Sequence, residues 1–130
     1  MKRKRMGLKG EEGFTLIEII AILIILGILA AVAVPRYIDL TANAEARAID
    51  AGVAELNGRE ALTWANEKIS TAGWTDDATT FAALSTDLGT DYTWAAGDPV
   101  VGGGDITFES TTDTLTRTAS ITTAPGRWSK

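Results

Sequence analysis

The 130 residues include no cysteine and no histidine. Lack of cysteine removes disulfide staples, thiolate nucleophiles and sulfur ligands for zinc. Lack of histidine removes the commonest zinc ligand and the usual acid/base side chain near neutral pH. Ser70, Ser85, Ser110, Ser120 and Ser129 therefore have no imidazole to activate them, and the scattered carboxylates define no paired acid/base site. No enzyme is expected. Positive charge is also scarce outside one end: five of the twelve Lys and Arg residues fall before Gly10, and the whole chain carries −5. That balance disfavours nucleic acid as a partner. The length admits one long element with a small head, or one compact domain, and excludes two ordinary domains.

What is present divides the chain abruptly. Lys2, Arg3, Lys4, Arg5 and Lys9, set against Glu11 and Glu12, lead into Phe14–Val34, 21 residues with a single charge at Glu18. As an α-helix this run is about 31 Å long, the thickness of a bilayer core. The basic cluster holds the N-terminus in the cytoplasm by the positive-inside bias and leaves everything after Val34 on the far side. A plain signal anchor accounts for this pattern. So does a secretory signal peptide cut before Val34, after the small residues Ala31 and Ala33. Neither explains Glu18, since a charge near the centre of a membrane helix costs about 2.5–3.5 kcal/mol, and less toward an end.

A cut between Gly13 and Phe14 gives Glu18 a purpose. It frees an α-ammonium on Phe14, one helical turn from the carboxylate, in a low-dielectric layer where opposite charges attract strongly. The more informative partner is another molecule. In a staggered bundle Glu18 of one subunit reaches the Phe14 ammonium of its neighbour, and a subunit out of register leaves both charges buried and unpaired.

The run Gly13-Phe14-Thr15-Leu16-Ile17-Glu18-Ile19-Ile20, after a short basic leader and before an apolar helix reaching Pro35, resembles the class III signal of type IV pilins and type II secretion pseudopilins. The resemblance covers about the first 40 residues. It implies that Gly13 precedes the scissile bond, that Phe14 becomes an N-methylated mature terminus, and that Glu18 supports methylation and assembly. It also places Pro35 at the family's helix-interrupting proline, and with Gly27 marks the stretch that loses helical structure on assembly, a lone subunit showing only a bend. A prepilin peptidase, an inner-membrane assembly platform and a homo-oligomeric helical filament are the implied partners. The implied location is the inner membrane, then an extracellular pilus or periplasmic pseudopilus. Gly27 and Ala31, followed by Ala30 and Ala33, would let helices approach closely. Many type IV pilins carry a C-terminal cysteine pair; this chain has none, which leaves the anchoring of its head to be explained.

The expected fold class is α+β: a long N-terminal helix packed on a small antiparallel sheet, pilin-like. Its segments are a cleaved leader (1–13), a transmembrane and assembly helix (14–35), an amphipathic helical half (36–69) and a head (70–130). Ala42, Ala46, Ile49, Val53, Leu56 and Trp64 recur at helical spacing, with Glu60 interrupting the stripe and Glu45, Asp50, Glu55, Arg59 and Glu67 mostly elsewhere. Trp64 is expected in the core. Gly52 and Gly58 each cost up to about 1 kcal/mol in a helix unless something packs closely on them. In the head, a helical turn is expected at Phe81–Leu84. About three strands should follow, at Tyr92–Ala95, Asp105–Ser110 and Thr114–Thr123, with Thr111–Asp113 as a hairpin turn and Gly97–Gly104 as a looser connection. Ile106 and Phe108 should share one face, as should Leu115, Ala119 and Ile121.

Removal of the leader leaves seven basic and fifteen acidic side chains, a mature balance of −8. Asp76, Asp77, Asp87, Asp91, Asp98 and Asp105 offer hard oxygen ligands, and the resemblance implies calcium in the C-terminal loops of major pseudopilins. The spacing matches no calcium loop, so Asp87 and Asp91 are the only metal candidates and no cofactor is required. The expected function is a structural filament subunit. A major-type pseudopilin of a type II secretion system, or a monomeric membrane-anchored or secreted binding protein, are the alternatives.

Overall fold

The computed structural model describes residues 13–97 and 99–130; residues 1–12, which hold most of the expected leader, and Asp98 lie outside them. Contacts divide the chain into two units, one ending at Ile38 and one spanning Asp39–Lys130. The first helix, α1 (Leu16–Ile69), begins in the former and continues into the latter.

In the first unit α1 has no protein packed on it. Every aliphatic side chain from Leu16 to Val34 with bulk to bury stands exposed, Phe14 at 79%. It is the one helix among the described residues long and apolar enough to cross a membrane. A helix this apolar all round calls for a non-aqueous neighbour, lipid or another helix. Both Gly27 and Pro35 lie inside α1. The single chain keeps both positions helical, without the loss of helix expected there on assembly.

In the second unit the buried positions of α1 are Glu45, Ile49, Gly52, Leu56 and Glu60, at three- and four-residue spacing. This corrects the expected stripe. Ala42 is exposed and Ala46 and Trp64 only half-buried, whereas Glu45 faces inward. The stripe is rotated because two carboxylates on it have partners in the head. Gly52 sits where a Cβ would meet Tyr92 Cε1 at 3.1 Å and Leu88 Cδ1 at 3.2 Å, so the close approach accounts for it; around Gly58 the space is open.

The short helix α2 (Asp77–Ala83) is longer than the turn expected at Phe81–Leu84. Asp76 caps it, its Oδ1 accepting from the Thr79 N–H at 2.9 Å. The sheet has four strands, not three: β1 (Tyr92–Trp94), β2 (Gly103–Phe108), β3 (Thr111–Thr118) and β4 (Arg127–Ser129), an antiparallel meander in chain order. The β2–β3 turn is Glu109–Ser110 rather than Thr111–Asp113, since Phe108 pairs with Thr111. Two-residue hairpins need positive φ in the turn, and Glu109 supplies it at 53°. The turn is held on α1 by Glu45 Oε2, which accepts from Ser110 Oγ at 2.8 Å and Thr111 Oγ1 at 2.7 Å. That anchorage selects the register.

The core comprises Ile49, Leu56, Leu84, Ile106, Leu115 and Trp128, with Val53, Phe81, Leu88, Tyr92, Trp94 and Phe108 packed around it. Ala119 and Ile121, expected on the inner face, are exposed because β3 ends at Thr118. The outer edge of β4 is closed by a side chain: Trp128 N–H donates to Asn57 Oδ1 (2.8 Å) and Asn57 Nδ2 to Trp128 O (3.0 Å). One amide of α1 thus completes a ladder that would otherwise be open to another strand.

Candidate functional site

Two groupings of polar side chains stand out, one at the start of α1 and one inside the head. At the start of α1, Thr15 and Glu18 bond reciprocally. Thr15 N–H donates to Glu18 Oε2 at 2.7 Å, Thr15 Oγ1 donates to the same oxygen at 2.9 Å, and Glu18 N–H donates back to Thr15 Oγ1 at 3.3 Å. The Thr15 carbonyl accepts from Ile19 N–H at 3.2 Å, so Thr15 occupies the cap position and Glu18 the third helical residue. This is the capping box, and it satisfies donors that a helix start leaves open. Gly13 and Phe14 precede it as non-helical, exposed residues. The charge-pairing argument found Glu18; the T-x-x-E spacing that ties it to Thr15 was also there to read.

The second grouping is a buried ion cluster. Arg117 on β3 donates from Nε and Nη2 to the two oxygens of Glu60 on α1, with Nε to Oε2 at 3.0 Å. It also donates from Nη1 and Nη2 to Asp77 on α2 at 2.9 and 2.8 Å, and from Nη1 to Val101 O at 3.2 Å. All five guanidinium N–H groups are thereby used. Glu60 and Arg117 side chains are 0% exposed. Asp77 Oδ1 further accepts from Ser120 N–H (2.6 Å) and Oγ (2.7 Å), and Glu60 Oε2 from Trp128 Nε1 (3.1 Å). The Phe81 ring lies 5.0 Å from the guanidinium carbon. Arg117 hydrogen bonding, aided by Ser120 and opposed by burial, lowers the Asp77 carboxyl to about 2. Burial alone would lower the pKa of Arg117, but Glu60 and Asp77 outweigh it and raise it. Gly126 closes the cluster: a Cβ there would stand 2.5 Å from Glu60 Oε1 and 2.8 Å from Thr118 O.

The remaining acidic candidates have local structural work. Asp105 Oδ1 accepts from Thr114 Oγ1 at 2.7 Å. Asp87 Oδ1 accepts from Gly89 N–H at 2.9 Å and Asp91 Oδ1 from Thr90 Oγ1 at 3.4 Å. Arg59 Nη1 already bonds the carbonyls of Asp87 (2.6 Å) and Ser85 (3.2 Å), placing a cation in that loop, and no group of three or more acidic side chains among the described residues could hold a metal ion. Asp98 lies outside the described residues.

Comparison with known proteins bears on the first grouping. The profile of the Prokaryotic N-terminal methylation motif matches residues 8–34. The chain is 42% identical over 57 residues to the Type IV narrow pilus major component PilA5 of Thermus thermophilus, covering 44% of this chain and 49% of that protein. It is 57% identical over 35 residues to the Type IV major pilin protein PilE1 of Neisseria gonorrhoeae, covering 27% and 21%, and 50% identical over 38 residues to a Fimbrial protein of Pseudomonas aeruginosa, covering 29% and 25%. The matched part thus spans half or less of each relative. No solved structure matches the chain. The matched segment contains Gly13, Phe14, the Thr15–Glu18 box and the apolar half of α1, and over that segment the chain is similar to type IV pilins.

Proposed function

We propose that the chain is a prepilin. It inserts through α1 with its head outside, is cut after Gly13 by a prepilin peptidase, is N-methylated on Phe14, and polymerises into a pilus-like filament on an inner-membrane assembly platform. The observation that carries this reading is the apolar, uncovered first unit of α1 bearing Glu18 as its only charged side chain between Phe14 and Val34. A bilayer covers such a surface before assembly and neighbouring helices cover it afterwards. In the filament Glu18 meets the Phe14 ammonium of an adjacent subunit, so that register and charge neutralisation are decided together. The proposed segments are a leader to Gly13, a membrane and assembly segment from Phe14 to Pro35, an amphipathic half to Ile69 and a head beyond it. Gly27 and Pro35 are the positions where α1 opens in the filament. The relatives are pilus and fimbrial proteins by name, which favours a pilus over a secretion pseudopilus.

Mass spectrometry of the native N-terminus tests the reading. A mature chain beginning at N-methyl-Phe14 is expected. A chain beginning at Val34 would make it a secreted protein, and one retaining Met1 a simple anchor; either defeats the proposal.

A further inference from the structure

We infer that the head docks on a second copy of itself by placing Ile121 of one subunit in a small apolar pocket of the next; this rests on the filament reading above. Ile121 lies in the connection between β3 and β4, where its N–H donates to Ala124 O at 2.8 Å and its carbonyl accepts from Trp64 Nε1 at 2.9 Å. Lys68 Nζ ties down the following residue, donating to Thr122 O at 2.9 Å. Two side chains of α1 thus hold this stretch of backbone, yet the isoleucine side chain is left 55% exposed. An aliphatic group already fixed in place loses little freedom on burial, which suits it as an interface anchor.

The pocket, about 90 Å³, opens between Trp94, Ala96, Pro99, Val100, Gly104 and Asp105. Gly104 forms part of its wall, since a Cβ there would touch Pro99 Cβ at 3.4 Å and Trp94 Cε3 at 3.5 Å. Charge matches as well as shape. Lys68 stands beside the knob with one of its three N–H groups given to Thr122, and Asp105 beside the pocket accepts from Thr114 Oγ1. Among the described residues neither has an ion-pair partner, so each is open to the other across a contact between copies. The β1–β2 and β3–β4 connections leave the sheet at the same end, because Gly103 pairs with Thr116 and Thr118 with Arg127. The strand order sets them two strand spacings apart, roughly 10 Å. One copy can therefore offer its knob to one neighbour while its pocket receives another's. A contact between unlike patches propagates, where a contact between like patches stops at a dimer.

Because the chain has no cysteine, introduced thiols report this contact alone. Ile121→Cys, Val100→Cys and the double variant are made in the full-length chain, expressed with its processing and assembly machinery, and the filaments are treated with a short bis-maleimide. Denaturing gels of the double variant should show a ladder of dimers, trimers and higher species, and those of each single variant monomers only. Charge gives a second readout. Asp105→Lys should lower sheared filament per cleaved subunit about fivefold, and Lys68→Asp added in the same chain should restore it to within about twofold. Dimers from Val100→Cys alone would show that pocket meets pocket and overturn the inference. Filaments of normal yield without a ladder in the double variant, or a charge exchange that restores nothing, would overturn it too, and all three outcomes leave the filament reading intact. Wild-type subunits that are cleaved but never polymerise would defeat that reading and the docking with it.

Discussion

Arg117 is a residue whose removal should be felt throughout the head. Its two carboxylate partners come from α1 and α2, and without the guanidinium Glu60 stays fully buried with an uncompensated charge. Breaking such a cluster from one side costs about 3–5 kcal/mol, more than most single substitutions. Arg117→Met should therefore lower the thermal midpoint of the full chain in detergent by well over 10 °C, read by near-ultraviolet circular dichroism from Trp128 and Trp94. Asp77 adds a pH signature. Its folded value of about 2 lies below that of an ordinary aspartate, so its contribution is complete above about pH 4 and is lost as pH falls toward 2. Denaturation midpoints should fall over that interval, and Asp77→Asn should flatten the fall; an equally steep dependence in the variant would refute the assignment. Arg117 was not legible in the sequence. It sits in the alternating run Thr114-Leu115-Thr116-Arg117-Thr118, where a charge reads as outward, and its partners lie 57 and 40 residues away along the chain.

Among the elements, α1 was readable from end to end because its two signals are local: an unbroken apolar run, then apolar residues at helical spacing. Its burial face was less legible, since inward Glu45 and Glu60 take their meaning from Ser110, Thr111 and Arg117, residues the helix pattern cannot see. Strand β4 escaped notice for a different reason. Three residues carry no alternation worth the name, and what holds them is Thr116, Arg117 and Thr118 on one side and Asn57 on the other. The glycines of α1 give a test at this scale. Gly58 has open space around it and should gain about 0.5–1 kcal/mol from alanine, whereas Gly52→Ala should lose stability by pressing on Tyr92 and Leu88. Opposite shifts in the thermal midpoints of the two variants are the expected outcome; parallel shifts would contradict the packing described.

The whole molecule combines an uncovered helix with a head sealed by charge. Its N-terminal motif was fully legible, because its residues are contiguous in the chain, whereas the head carries no comparable signature. The proposed filament rests on Glu18. Glu18→Ala should leave the head's melting unchanged, since that residue belongs to the other unit, while sheared filament falls at least tenfold when the variant is the sole subunit. Normal filament yield would contradict charge pairing. Without a cysteine to close it, this head has Arg117 clasped between Glu60 and Asp77 and closed over by Ser120, Gly126 and Trp128. A clasp of that kind needs no electron acceptor and no thiol oxidase to form. Such a head can finish folding in air or under strict anaerobiosis, and reductants that unpick a disulfide-closed domain should leave this one untouched.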